Sequence, residues 1–292
     1  MKSMTSVITK SALVLAACAS MNAFAGTPSG KAPAPLPEPE SGALFDTLGA
    51  TLEVGYDTRY YFRGLWFADN TVWTGLNISI PLTEQLSLGL GALYTTTVET
   101  TVPDTTGLNN GVGDFDYSEL DLSASLNYDA GFAKFGLVYT HYEFFDTFSG
   151  SVFGASAGAD EGAITGADEV GLTVATSVGP VNLYGGYFYD FRIGGQYFEV
   201  GADLPIEITP WLSIVPAVKT GYALNYYTDG VNPASTPSGF SHVLPSISAP
   251  IKLTKTATLT PYVAYNISLG GRNTLNAQDT EFFGGVKLGV TF

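Results

Sequence analysis

Charged side chains in this sequence recur at every second position of short apolar segments, which places them on one face of each segment. Glu53, Asp57, Arg59 and Arg63 alternate in this way within the first such segment. Carboxylates and cations at this spacing could pair with one another, or could select ions and small polar solutes along a hydrated surface. The corresponding face of the later segments carries these further charged residues: Glu119, Asp121, Lys134, Glu169, Asp190, Arg192, Glu199, Asp203, Lys219 and Lys287.

The segments that position these residues have the period of β-strands. Short turns such as Gly179-Pro180 alternate along the chain with longer connections rich in Gly, Ala and Thr, such as residues 147–167. Period-2 alternation between such connections predicts antiparallel strands. The predicted strands are Leu48–Arg63, Thr71–Leu82, Leu86–Val98, Asp116–Tyr128, Phe132–Phe145, Asp168–Val178, Val181–Phe191, Gln196–Ile206, Trp211–Tyr227, Phe240–Leu253, Ala257–Leu269 and Thr280–Phe292.

One apolar and one polar face per strand would suit a membrane barrel or a soluble β-sandwich, because both folds alternate. The even strand number and the asymmetry between short turns and longer loops favour the barrel. The sequence therefore predicts an all-β fold in residues 48–292. We expect a transmembrane antiparallel β-barrel of about 12 strands with short periplasmic turns and longer extracellular loops, its charged face turned inward.

The chain ends in a strand with one apolar face, because Val286, Leu288, Val290 and Phe292 alternate with Lys, Gly and Thr. A strand at the terminus must pair with an earlier strand, as in a closed barrel. This ending resembles the C-terminal strand of bacterial outer-membrane β-barrels, in which a terminal Phe is the insertion signature. The resemblance implies that Phe292 is an insertion signal and that the barrel-assembly machinery is a partner.

Residues 1–25 have the features of an export signal: basic Lys2 and Lys10, a short apolar run, and Ala23-Phe24-Ala25 as a cleavage site. Cys18 lies in a context that also resembles a lipoprotein signal, so two fates are open: removal with the signal peptide, which we favour, or lipidation. Residues 26–47 are rich in proline and predict an extended periplasmic tail.

The composition excludes some classes of partner. The net charge is −15, whereas nucleic-acid binding requires basic patches. Only 13% of residues are charged, and the chain contains 34 glycines. This balance is unusual for a soluble domain and is compatible with a barrel that faces lipid.

The interior of a twelve-stranded barrel lies between two regimes. Eight strands leave an interior that side chains fill, and 16–18 strands leave an aqueous channel. We predict a narrow pore rather than a salt-bridged plug, because glycines on the inner face should leave space: Gly55, Gly75, Gly89, Gly91, Gly171, Gly201, Gly285 and Gly289.

Aromatic residues on the apolar face fall at the loop ends of their strands. Amphipathic rings favour the membrane–water interface, so this arrangement predicts an outer aromatic girdle. The predicted members are Tyr60, Phe62, Tyr94, Tyr139, Tyr187, Tyr189, Phe198, Tyr226 and Phe282.

The segment Tyr60-Tyr61-Phe62-Arg63-Gly64, followed by Gly75-Leu76, resembles the opening of the TorF-like porin family of bacterial outer-membrane β-barrels. The match covers the first hairpin, and the rest of the chain only as general architecture. The resemblance implies an outer-membrane barrel with a porin role. It also implies that Arg63 points inward at the pore mouth, with Asp57 or Glu53 as its partner.

Catalysis is not expected, because the only histidines, His141 and His242, lack a suitable serine partner at the outer rim. No cofactor or metal motif is present. We predict a porin-like channel for passive diffusion of small hydrophilic solutes, in contact with outer-membrane lipid. Its location would be the bacterial outer membrane, with both termini periplasmic. The alternative is a closed structural or adhesive barrel with a salt-bridged lumen; a phospholipase-type enzyme is a more distant alternative.

Overall fold

The computed structural model describes residues 49–98, 101–103, 112–114, 117–145, 166–192, 194–226, 238–269 and 280–292. The expected signal peptide (with Cys18), the proline-rich tail and most of the longer loops lie outside the described residues. In the part that is described, regular structure consists of β-strands. None of its segments is a helix that is long and apolar enough to cross a membrane.

In chain order the strands are β1 (Ala50–Phe62), β2 (Leu65–Pro81), β3 (Leu86–Thr97), β4 (Thr101–Pro103), β5 (Val112–Asp114), β6 (Ser118–Asp129), β7 (Lys134–Phe144), β8 (Gly166–Val178), β9 (Val181–Asp190), β10 (Gly195–Asp203), β11 (Ile206–Thr209), β12 (Leu212–Leu224), β13 (Gly239–Ser248), β14 (Ile251–Lys252), β15 (Ala257–Ser268) and β16 (Thr280–Thr291). Every pairing between them is antiparallel, and twelve of the strands form one closed barrel. β1 pairs with β16, and β10 with β12, which closes the ring. The predicted all-β barrel of about 12 strands is confirmed.

The outer face of the barrel is apolar. Leucines and valines at alternate positions of neighbouring strands are exposed, as lipid contact requires. Examples from the wall are Leu52, Val54, Leu76, Leu90, Leu122, Leu126, Leu137, Leu172, Val200, Val218, Ile247 and Val263.

The short turns on one side of the barrel share a local motif. Thr83 accepts hydrogen bonds at Oγ1 from the backbone amide of Leu86, at 3.0 Å. Thr209 and Thr254 make the same contact three residues onward. A threonine that satisfies the first amide of the returning strand defines where each turn ends.

The first hairpin differs from the prediction in its length. β2 begins at Leu65, so the predicted short loop over residues 65–70 is wrong. Arg63 and Gly64 make a two-residue turn, with φ of +52° and +85°. Positive φ at both central residues is the backbone of a type I′ hairpin, which fits two strands directly onto one another.

Candidate functional site

The tip of the first hairpin leaves the barrel wall. β1 pairs with β16 only as far as Asp57, and β2 pairs with β3 only from Thr71 onward. A register shift between Tyr60 and Tyr61 bends the hairpin at this point. Residues 58–70 are called the lumen hairpin below, because residues 60–68 at its centre are buried inside the barrel.

Both faces of the lumen hairpin are apolar and buried. Tyr60 and Phe67, on one face, belong to a cluster with Tyr117 and Tyr142 of the β6–β7 side. Tyr61 and Trp66, on the other face, belong to a second cluster, whose wall residues are Leu244, Ala264 and Phe283. The hairpin therefore divides the lumen, with side chains packed on each side.

Polar contacts of the hairpin reach opposite parts of the wall. The Tyr60 hydroxyl donates to Glu119 of β6 at 3.2 Å. The Gly64 carbonyl accepts from Asn266 of β15 at 3.4 Å. A Cβ atom at Gly64 would lie 2.6 Å from Nδ1 of His242 on β13. The hairpin thus spans the barrel from one wall to the other.

Arg63 lies at the tip and is buried, with 1% of its side chain exposed. Its Nη1 and Nη2 donate to the two carboxylate oxygens of Glu169 on β8, at 2.5 and 2.7 Å. The Tyr226 hydroxyl accepts from Nη1 and donates to Glu169. Arg63 points inward as expected, but its predicted partner, Asp57 or Glu53, is wrong, because the bend carries the guanidinium across the lumen.

Aromatic rings surround the same guanidinium. Its Cζ lies 4.6–4.8 Å from four ring centroids, within the range of cation–π attraction. The rings belong to Phe62, Phe188, Tyr197 and Tyr226. We call these four residues together with Glu169 the Arg63 site. A buried arginine held by a bidentate carboxylate and four rings has its charge fully compensated.

Most other cations predicted to line the lumen also have anionic neighbours. These ion pairs need no water-filled path, and the pore-lining role of their members stays a prediction. The pairs are Arg59 with Asp69 (3.3 Å) and Glu281, Lys134 with Asp129 (3.9 Å), Lys219 with Glu199 (3.2 Å), and Lys287 with Glu53 (2.7 Å).

The remaining acids accept hydrogen bonds from neutral groups. Asp57 accepts from the Trp73 indole at 2.9 Å and from the Tyr262 hydroxyl at 2.6 Å. These neutral donors satisfy the carboxylate oxygens without a cation. Glu119 accepts from Tyr60 and Tyr117, Asp190 accepts from the Arg192 amide at 2.8 Å, and Asp203 accepts from Asn182 at 2.8 Å. Asp121 is buried beside Glu119. The Arg192 guanidinium donates to the Gly166 carbonyl at 3.3 Å.

Several of the inward glycines do not leave space. A Cβ atom at Gly55 would overlap the indole of Trp73, and one at Gly201 would overlap the ring of Tyr184. Phe188 covers Gly171 in the same way. Gly75 and Gly289, in contrast, meet their nearest neighbours at an ordinary 3.5 Å. The expectation that all eight glycines widen the pore is therefore only partly met, because flat rings lie directly on the wall.

A small cavity remains beside the lumen hairpin, at the loop ends of β6–β9. Its volume is about 20 Å³, which is room for about one water molecule. The lining residues are Tyr60, Phe62, Phe67, Tyr117, Glu119, Tyr142, Phe144, Ala167, Asp190, Arg192 and Tyr226. Where a narrow pore was expected, buried side chains on both faces of the hairpin occupy the lumen.

Three members of the predicted aromatic girdle lie inside the barrel. Tyr60, Phe62 and Tyr226 are buried, whereas Phe198 and Phe282 are exposed on the outer face. The site rings that the list of charged lumen residues left out are Phe62, Phe188, Tyr197 and Tyr226, and parity had placed two of them, Phe62 and Tyr226, on the outer face. A signal was present in the Tyr60–Ala68 segment, which is apolar on both parities and therefore predicts burial on both faces.

The two histidines occupy different environments. His141, on the outer face, lies 2.8 Å from Asp168 and 3.3 Å from Glu143. His242 lies 2.9 Å from the Ser241 hydroxyl, and both side chains are buried. Adjacent residues of a regular strand face opposite sides of the sheet. Ser241 instead is the extra residue of a β-bulge opposite Gly221, which turns it inward.

No family model and no curated protein match this chain. Among solved structures, an outer membrane channel from Pseudomonas putida F1 is 14% identical, with a TM-score of 0.51, and the match covers 87% of this chain and 99% of that one. The KdgM porin is 10% identical, with a TM-score of 0.45, over 83% of this chain and 99% of its own. The NanC porin is 9% identical, with a TM-score of 0.44, over 82% and 98%. The fold is that of outer-membrane β-barrels.

Proposed function

We propose that this chain is an outer-membrane porin-like channel for passive diffusion of small hydrophilic solutes, and that the lumen hairpin is its gate. The observation that carries the proposal is the departure of residues 58–70 from the wall. Residues 58–69 are outside the ladders with β3 and β16, although the neighbouring Asn70 carbonyl still accepts from the Val98 amide. Beyond that bond, the hairpin is attached to the wall through side chains and through the Gly64 carbonyl. Such an element can move without breaking the ladders that close the ring.

The wall around the hairpin supports a transport role. It carries carboxylates, cations and hydroxyls, which a hydrated path tolerates and lipid does not. A twelve-stranded barrel has a wider lumen than an eight-stranded barrel, whose interior is just filled by the side chains of its own wall. The lumen hairpin therefore fills space that the side chains of the twelve wall strands would leave open.

The wider setting belongs to the same proposal. We place the barrel in the bacterial outer membrane with both termini periplasmic, within or close to the TorF-like porin family, and without catalytic activity. Lipid, the barrel-assembly machinery and small hydrophilic solutes are its proposed partners. The exposed apolar belt and the terminal Phe292 support these assignments.

Single-channel conductance of residues 26–292 in planar bilayers tests the gate. In the matched variant, residues 58–70 are replaced by Asn-Gly, a two-residue turn that joins the paired residues Asp57 and Thr71. We expect rare, short openings for the parent chain and long-lived steps for the variant. The variant keeps all eight acids among the predicted lining residues but only four of the six cations, because Arg59 and Arg63 are deleted. Its current should therefore be cation-selective.

The closed structural barrel is the competing function, and the buried, fully compensated Arg63 favours it. If the shortened variant migrates as a folded barrel in an unheated gel but never conducts, the channel proposal is wrong. Should the deletion prevent folding, the Gly64→Ala variant described in the Discussion disturbs the hairpin by a single substitution.

A further inference from the structure

The Arg63 site is a complete receptor for one planar cation. The Glu169 carboxylate takes both terminal nitrogens of the guanidinium, and the Tyr226 hydroxyl takes one of them as well. A second hydroxyl, that of Tyr142, donates to Glu169 at 3.2 Å and fixes the carboxylate. A bidentate carboxylate within a ring of aromatic faces is the arrangement by which proteins bind flat organic cations.

Arg63 occupies a backbone position that does not favour arginine. It is the first central residue of the turn, with φ of +52°. Type I′ turns strongly prefer Asn, Asp or Gly there, because Cβ crowds the following carbonyl oxygen at positive φ, which Gly avoids and Asn or Asp offset by local hydrogen bonds. Turn formation therefore does not account for an arginine at this position, whereas the contact with Glu169 does.

We propose that the Arg63 site is a binding site for small solutes that carry a guanidinium group, and that Arg63 fills it as a built-in substitute for such a solute. A solute that takes this place releases the tip of the lumen hairpin from β8, β9 and β10. The inference rests on the channel function proposed above. It adds the class of solute that opens the gate.

The small cavity borders this site, and it must widen before a guanidinium solute can pass, because it holds about one water molecule. Phe62 and Tyr226 line the cavity and also belong to the ring of aromatic groups around Arg63. The cavity carries two carboxylates, Glu119 and Asp190, and one cation, Arg192. This balance of charge favours the entry of a cation over that of an anion.

Competition with a tethered group sets the concentration at which a solute acts. Arg63 is held next to Glu169 by its own hairpin, at an effective concentration on the order of millimolar or higher. A free guanidinium compound must therefore reach millimolar concentration to displace it. Without Arg63 the competitor is gone, and Glu169 is left as a buried charge that requires a cation.

Binding is tested on folded barrels in detergent, with methylguanidinium as the probe and urea, its neutral analogue, as the control. Methylguanidinium should raise the Tm of Arg63→Ala, because a ligand stabilises the state that binds it. We expect it to bind Arg63→Ala at least about tenfold more tightly than Arg63→Ala/Glu169→Gln. Arg59→Ala removes an arginine that belongs to the same hairpin but lies outside the Arg63 site. In this variant methylguanidinium should raise the Tm no more than urea does. Equal Tm shifts with both probes in Arg63→Ala would overturn the inference.

Conductance separates this inference from the function beneath it. In the parent channel, millimolar methylguanidinium should raise the open fraction by at least about threefold, with no response to urea. If methylguanidinium binds Arg63→Ala but neither the parent nor the shortened variant conducts, the channel function is wrong and the binding site stands. Current in the shortened variant without binding to Arg63→Ala would refute the receptor alone. If Arg63→Ala does not fold, Arg63→Lys keeps the charge but loses the planar fork, and methylguanidinium should open it at lower concentration than the parent.

Discussion

Lys287 and Glu53 form an ion pair at 2.7 Å that joins the last strand of the chain to the first. β16 and β1 pair over residues that are far apart in sequence, so this contact lies on the seam where the barrel closes. The two side chains are 21% and 25% exposed, so water still screens them. The seam is therefore held by its backbone ladder, and the ion pair adds to it.

A double-mutant cycle on Glu53→Gln and Lys287→Gln should give a small coupling energy. For partly exposed pairs we expect about 0.5–1 kcal/mol, since each charge keeps part of its hydration. The measurement is the free energy of unfolding in urea for the four variants. A second cycle on Asp129→Asn and Lys134→Gln is the control, because the charged atoms of that pair are 3.9 Å apart. Coupling several times larger would mean that the pair closes the barrel.

Gly64→Ala should loosen the lumen hairpin and raise the open fraction of the channel. The added Cβ would lie 2.6 Å from His242 and would occupy a backbone position with φ of +85°. Gly131→Ala is a close match for the backbone strain, with φ of +84°, but its Cβ meets nothing within 4 Å. Gly131→Ala should therefore lose only about 1–2 kcal/mol of stability and keep the parent open fraction. Equal open fractions in the two variants would show that the His242 contact does not hold the gate.

Gly221→Ala should weaken the Arg63 site from behind. A Cβ atom at Gly221 would overlap the hydroxyl end of Tyr197, whose ring faces Arg63. Overpacking of this kind costs about 1–3 kcal/mol, and we expect a lower Tm together with more frequent openings. Gly75→Ala, inside the same lumen, has its nearest neighbour at 3.5 Å and should behave as the parent does. A variant that is as stable and as closed as the parent would contradict the packing described here.

Phe292→Ala should reduce the amount of barrel in the outer membrane without reducing the stability of the folded protein. The side chain is 62% exposed, and the backbone amide keeps its hydrogen bond to Ala50. Phe282, 72% exposed on the same strand, provides the control substitution Phe282→Ala. Levels in membrane fractions and refolding yields of purified protein are the two readouts. Equal membrane levels for both variants would remove the insertion role of Phe292.

The barrel wall could be predicted because it depends on local alternation. Leu120, Leu122 and Leu126 on one parity, with Glu119 and Asp121 on the other, identify β6 and its two faces without any knowledge of its neighbours. The same rule located the other wall strands, with β2 six residues too short at its start. Inward placement of Arg63 also followed from parity.

The gate could not be predicted, because alternation does not say where a strand leaves its sheet. Parity placed Tyr60 and Phe62 on the lipid face, but the hairpin leaves the wall after Asp57, so both of its faces lie in the lumen. The partner of Arg63 was equally hidden, since Glu169 is 106 residues further along the chain. The one sequence signal for the gate was the Tyr60–Ala68 segment, which is apolar on both parities and so indicates burial on both faces.

The distance in sequence between the hairpin and its receptor has a consequence for biogenesis. Arg63 is made early, but its site is complete only when the chain has been built through Tyr226 and the ring has closed. The first hairpin to be synthesised is thus among the last elements to reach its final place. If the lumen hairpin is the gate proposed above, a barrel whose strands have paired before Arg63 reaches Glu169 is expected to conduct until that contact forms.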